Sequence, residues 1–238
     1  MAHFLLIHGA WHGAWCWDKT AAALREAGHD VTAIDLPSHG DDPTPAAEVT
    51  VDSYVDRICG ALAAIDGQAV VVGHSMGGIA ITAAAEACPE KISKLVYLTA
   101  FLPKNGESLL ALEGRNPKPA VPPALQVSED GATATLSDDL VVPLFFHDCT
   151  PDDQQMAAGK LTVQSLAPLT TVMELTPERF GSIPRAYIEC TDDRAISIEL
   201  QRDMYTASGV DTVLSMDASH SPFLSMPQAL ADHLDSLA

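Results

Sequence analysis

Positive charge is what this 238-residue chain has least of: 13 lysines and arginines stand against 32 aspartates and glutamates, a formal net charge of −19. So acidic a composition argues against nucleic acid or an anionic membrane as a partner, because both are held through basic patches. Aromatic residues make up only 5%. No apolar run approaches the roughly 20 residues needed to span a bilayer. The apolar start, MAHFLLIHGA, has no lysine or arginine ahead of it and runs directly into a motif. It therefore reads as a first strand and not a signal peptide. The five cysteines, Cys16, Cys59, Cys88, Cys149 and Cys190, show neither pairing nor C-x-x-C spacing. An odd, dispersed set predicts free thiols in a reducing compartment. These absences together predict a soluble cytoplasmic protein.

Short apolar runs recur, many rich in β-branched residues: His3 to His8, Asp30 to Asp35, Ala69 to Gly73, Lys94 to Ala100, Arg185 to Cys190 and Asp211 to Met216. Several are apolar almost throughout, as strands buried on both faces of a parallel sheet are. Helical patterns lie between them, at Asp18 to Ala27, Val51 to Ile65, Met76 to Ala87 and Ile198 to Ser208, with a last one from Pro227 to Leu237. The alternation predicts an α/β protein with a doubly wound, mostly parallel sheet of about six strands. Between Pro103 and Pro177 the rhythm stops, and nine of the sixteen prolines fall there. That stretch is too long for a plain connection. The expected organisation is a core of residues 1–102 and 179–238, with residues 103–178 inserted as a helical cap.

The chemistry centres on VGHSMGG, where Ser75 stands between the run ending at Gly73 and the helical pattern opening at Met76. A strand-to-helix corner lifts a hydroxyl above the carboxyl ends of the strands, where clefts form in open parallel sheets. The helix start beneath it offers free N–H groups and a positive dipole end to a developing oxyanion. Serine needs a base. His74 is adjacent, but neighbouring side chains at such a corner point apart. His220, in DASHSP after the last strand, emerges at the same sheet edge. Asp192 and Asp193, just past the strand RAYIEC, are candidates for the acid that orients the base, and spacing does not choose between them. Asp217 reads as a loop-capping carboxylate, and His147 as a structural or surface residue of the cap. The turn IHGAWHGAWCW after the first strand supplies a second oxyanion donor: Ala10, with Met76, presents a backbone N–H. His8 reads as a structural turn residue.

The stretches IHGAWHGAWCW, VTAIDLPSHG, VGHSMGG, ERFGSIPRAYIECTDD and ASHSP together resemble the α/β-hydrolase superfamily, most closely its plant methylesterase and hydroxynitrile lyase branch with bacterial esterase relatives. The likeness covers nearly the whole chain and is weakest between Pro103 and Leu144. It implies a serine carboxylesterase with Ser75 as nucleophile, His220 as base and Asp193 as orienting acid, with Ala10 and Met76 in the oxyanion hole. It is this resemblance that favours Asp193 over Asp192. No metal or cofactor is expected. The lyases carry threonine at the position of Gly9 and lysine at that of Ser221, so a lyase is the secondary reading. Carbon–carbon bond hydrolases share the triad, and a receptor with little turnover shares the fold. The cap is mainly apolar, which predicts a small or medium hydrophobic ester as the partner. Gly9, Trp11, His12, Phe145, Phe146 and Leu161 are the candidate substrate contacts, Gly9 because it leaves room for an acyl group.

Overall fold

A computed structural model describes residues 1–210 and 212–238. Six strands form one parallel sheet: β1 (His3–Ile7), β2 (Asp30–Ile34), β3 (Ala69–His74), β4 (Ile92–Leu98), β8 (Arg185–Cys190) and β9 (Thr212–Met216), in the order β2-β1-β3-β4-β8-β9. The expected start of the last strand, Asp211, lies outside the described residues. Hydrophobicity grades outward from the centre. Every residue of β3 is buried, whereas the edge strands β2 and β9 are largely exposed or half-buried. A strand covered by helices on both faces has no solvent side, so it reads as a continuous apolar run.

The flanking helices are α1 (Asp18–Glu26), α2 (Val51–Ala63), α3 (Gly77–Ala87), α8 (Ile198–Ala207), α9 (Pro222–Ser225) and α10 (Pro227–Ser236). Helix α1 packs on α10, and α2 packs on α3. The strand order reverses direction at β1, so right-handed crossovers put α1 and α2 on opposite faces. Thr50 starts α2 with a capping box: its hydroxyl accepts from the Ser53 amide at 3.3 Å, and the Thr50 amide donates to Ser53 Oγ at 3.0 Å. Such a reciprocal cap satisfies two orphan N–H groups and is typically worth ~1 kcal/mol.

The α2–α3 contact corrects the cysteine expectation. Cys59 and Cys88 form a disulfide with Cα atoms 6.2 Å apart, while Cys16, Cys149 and Cys190 are free and buried. The 29-residue separation carries no signal of pairing; only the side-by-side packing of the two helices brings the thiols together. The reducing-compartment reading rested on five free thiols and loses that support. Among the described residues no helix is long and apolar enough to cross a membrane.

Between β4 and β8 the chain leaves the sheet. It forms short helices, α4 (Leu109–Glu113), α5 (Asp138–Val141), α6 (Pro151–Ala158) and α7 (Ala167–Thr170), and a small antiparallel sheet, β5 (Leu125–Val127), β6 (Thr133–Leu136) and β7 (Gln164–Ser165). Helix α5 runs on into a π-helical turn, Val142–Phe146, that buries Leu144, Phe145 and Phe146. The small sheet was not expected; its strands are only two to four residues long, β5 and β6 forming a local hairpin and β7 joining from the far end of the insertion.

Candidate active site

The strand order reverses between β1 and β3, and a parallel sheet opens a crevice at such a point beyond its carboxyl ends. Ile7 is registered with Gly73, so the turn after β1 and the corner after β3 leave the sheet side by side. Ser75 has φ +54°, a left-handed value that costs a non-glycine residue of order 1–3 kcal/mol. The corner is held by its surroundings: the Ser75 amide donates to the Leu98 carbonyl at 3.3 Å, and the Ser75 carbonyl accepts from Gly78 and Phe101 at 3.0 and 3.1 Å. Gly77 lies against the turn after β1, where a Cβ would come within 2.6 Å of the His8 carbonyl oxygen.

Ser75 and His220 share the wall of one cavity of about 240 Å³, together with Ala10 and Met76. His220 Nδ1 bonds Asp193 Oδ2 at 2.7 Å, which leaves Nε2 as the ring nitrogen free for chemistry. The Asp193 side chain is fully buried and fixed by four donors. Oδ1 accepts from the Ala195 and Ile196 amides at 2.7 and 3.0 Å, while Oδ2 accepts from Thr99 as well as His220. The neighbouring Asp192 points to the surface and bonds His147 Nε2 at 2.9 Å. Among the described residues, the Ala10 and Met76 amides find no acceptor within the protein. Asp217 accepts from Thr191 Oγ1 at 3.1 Å, in its loop.

The buried histidines brace this arrangement. His74 Nε2 lies 2.8 Å from the His220 carbonyl oxygen, which can only accept, so Nε2 carries the hydrogen and tethers the backbone of His220. Burial, with the nearby His220 and His12 rings, holds the His74 imidazole well below its usual range. His8 donates from Nδ1 to the Gly9 carbonyl at 2.8 Å and accepts at Nε2 from the Leu36 amide at 3.0 Å. It ties the turn after β1 to the loop after β2.

The expected substrate contacts divide. Trp11 and Phe145 stand in the cavity wall; Gly9, His12, Phe146 and Leu161 do not. A Cβ at Gly9 would come within 2.8 Å of Ser75 Cβ and 2.9 Å of His74 Nδ1, so the absence of a side chain here admits the corner itself. His12 is buried behind the turn, donating from Nδ1 to the Ala10 carbonyl at 2.7 Å. Burial pushes its pKa down to about 3, so it is neutral there. Phe146 is buried beside His12, and Leu161 opens onto a separate cleft with Trp11.

Three contributors escaped the sequence reading. Thr99, on the residue after β4, reaches Asp193. Asp148, in the insertion, accepts from both the amide and the hydroxyl of Ser219, next to His220. Glu113 lines the cavity. Its signal was available: Leu109, Leu112 and Glu113 follow i, i+3, i+4 spacing, which puts the acid on the apolar face of α4.

The description "Alpha/beta hydrolase family" belongs to a family model that matches residues 4–233. Methylesterase 2 of Arabidopsis thaliana is 32% identical over 251 residues, spanning 99% of this chain and 95% of its own. Polyneuridine aldehyde esterase of Rauvolfia serpentina is 33% identical over 244 residues, spanning 95% of this chain and 91% of its own. A crystal structure of polyneuridine aldehyde esterase superposes with a TM-score of 0.92 at 31% identity, covering 100% of this chain and 99% of that one. A pyrethroid hydrolase from Sphingobium faniae JZ-2 superposes with a TM-score of 0.88 at 28% identity, covering 99% and 96% of the two chains.

Proposed function

Because the chain belongs to the alpha/beta hydrolase family and is a carboxylic ester hydrolase like its methylesterase relatives, we propose that it cleaves esters through an acyl-enzyme on Ser75. One observation carries the reading. A strained serine, and a histidine already paired with a buried carboxylate, face the same apolar cavity.

In this mechanism Ser75 Oγ attacks the ester carbonyl while His220 Nε2 takes its proton. Asp193, bonded to Nδ1, holds the ring in the tautomer that leaves Nε2 free, and it stabilises the imidazolium that forms. The unpaired Ala10 and Met76 amides receive the oxyanion; in serine hydrolases one such donor is worth about 10²–10³ in rate. The alcohol departs with the proton from Nε2. Water then attacks the acyl-enzyme with His220 as base, releasing the acid and restoring Ser75. No step calls for a metal or a cofactor.

The cavity supports a small to medium hydrophobic ester. Phe101, Leu109, Val121, Leu125, Phe145 and Ile196 are among its walls, and they exclude water from the reacting centre. The direct test is hydrolysis of p-nitrophenyl butyrate by the wild-type chain and by Ser75→Ala. The substitution is expected to cost several orders of magnitude in kcat, with an unchanged melting temperature or a higher one, because the strained corner loses only a hydroxyl. Retention of more than a few per cent of the activity would overturn the assignment.

A further inference from the structure

One ionisable group in the cavity has no part in that mechanism. Glu113 ends α4, a short helix capped by Ser108, whose hydroxyl accepts from the Ala111 amide at 3.2 Å. The glutamate is only 8% exposed, yet it lines the cavity that Ser75 and His220 share. Both carboxyl oxygens face a single partner, the Asn116 side-chain nitrogen, at 3.2 and 3.3 Å. A carboxylate has about four acceptor positions, so one shared N–H group leaves most of its capacity unused. Asn116 also reaches the Ala195 carbonyl at 3.4 Å, and the Ala195 amide bonds Asp193. Glu113 is thereby anchored beside the loop that carries Asp193.

A buried carboxyl with spare acceptors is costly unless something uses them. We propose that Glu113 is a specificity-determining residue that accepts a hydrogen bond from a hydroxyl or N–H group carried by the substrate away from its scissile bond. The substrate class is then an otherwise apolar ester with one donor group, and an ester bearing a second, ionised carboxylate is rejected. This inference rests on the serine-esterase reading of the same cavity.

The surroundings of Glu113 define how the selection responds to pH. Burial raises its pKa, the Asn116 hydrogen bonds lower it and the charge of Asp193 raises it, and the net position is about 7. Helix α7, which packs on α4, carries no titratable residue. His220 shares the cavity wall, and Asp193, buried behind it, is near enough for its charge to act on Glu113. Arg115 is paired with Glu107 and Asp203, and Lys118 with Glu199, all toward the surface. Above about pH 7 Glu113 is a charged acceptor, and below it a neutral and weaker one, so the preference for a donor-bearing ester grows as pH rises.

Matched esters isolate this effect, because a ratio of kcat/KM values on one enzyme cancels any pH effect common to both substrates. The pairs are p-nitrophenyl ω-hydroxyhexanoate with p-nitrophenyl heptanoate for the acyl side, and ω-hydroxypentyl acetate with hexyl acetate for the alcohol side. On one side, the hydroxyl-bearing member is expected to be favoured about 10-fold or more above pH 7. That preference shrinks as pH falls through about 7. In Glu113→Gln the ratio loses its pH dependence, and in Glu113→Leu it falls to about one or below. A wild-type ratio near one on both sides overturns the inference while leaving the esterase reading intact, as does a pH-dependent ratio that persists in Glu113→Gln. Failure to hydrolyse any of the four esters would instead sink the esterase reading beneath it. The wild-type ratios need no variant to fold.

Discussion

At the scale of single residues, two adjacent aspartates have opposite surroundings. Asp193 is buried under four donors and bonded to His220, whereas the Asp192 side chain is 62% exposed and bonded to His147. Asp193→Asn is therefore expected to lose about 10⁴ in kcat, as in serine proteases, because an amide in that position favours the wrong histidine tautomer. Asp192→Asn removes one surface contact and is expected to stay within a few-fold of wild type. Steady-state kinetics on the two variants decide it, and a larger loss in Asp192→Asn would place the orienting acid elsewhere. Spacing alone could not separate the two, because which carboxylate turns inward depends on amides at Ala195 and Ile196 and on Thr99, from a different strand. His74 is a similar case. Its tether to the His220 carbonyl is invisible in a sequence where the two lie 146 residues apart.

Local pattern was a good guide to the elements of the core. The six strands and five long helices fall within a few residues of the runs that signal them, most plainly at β3, where every residue is buried. The insertion was legible only as an interruption. Its strands are too short to show alternation, and they are tied to the core by hydrogen bonds from Trp11 Nε1 to the Ala134 carbonyl and from Ser165 Oγ to the Val49 carbonyl. Yet those contacts hold the site. Asp148 follows the π-helical turn and accepts from the Ser219 amide at 2.9 Å and from its hydroxyl, pinning the loop that presents His220. Asp148→Ala is expected to lower kcat by about 10- to 100-fold while KM moves little, since it displaces His220, the base of the proposed mechanism, and leaves the apolar walls in place. Imidazole added to the assay is expected to recover part of the lost rate. A rise in KM at constant kcat would instead make Asp148 a support of the substrate pocket.

For the whole molecule, the buried histidines tie stability to pH. Burial, first among the causes, holds His8, His12 and His74 below the ordinary imidazole range, His12 at about 3. In the unfolded chain each titrates near 6.5. Below that pH the unfolded chain binds protons that the folded chain refuses, so stability present above about 6.5 is lost as pH falls. A proton refused by the folded chain is worth up to about 1.4 kcal/mol per pH unit, so His12 alone removes about 1.4 kcal/mol from about pH 7.5 to 5.5, and His8 and His74 act in the same direction. Urea melts across that interval are expected to show the loss, and a flat profile would mean that these rings are protonated in place. The measurement that bears most directly on the account is covalent trapping of the nucleophile. A fluorophosphonate is expected to inactivate the protein in step with the attachment of one phosphonyl group per chain, which peptide mass spectrometry locates on Ser75 and which Ser75→Ala fails to take up. An adduct on another residue that abolishes turnover, or full ester hydrolysis by a chain phosphonylated at Ser75, would contradict it.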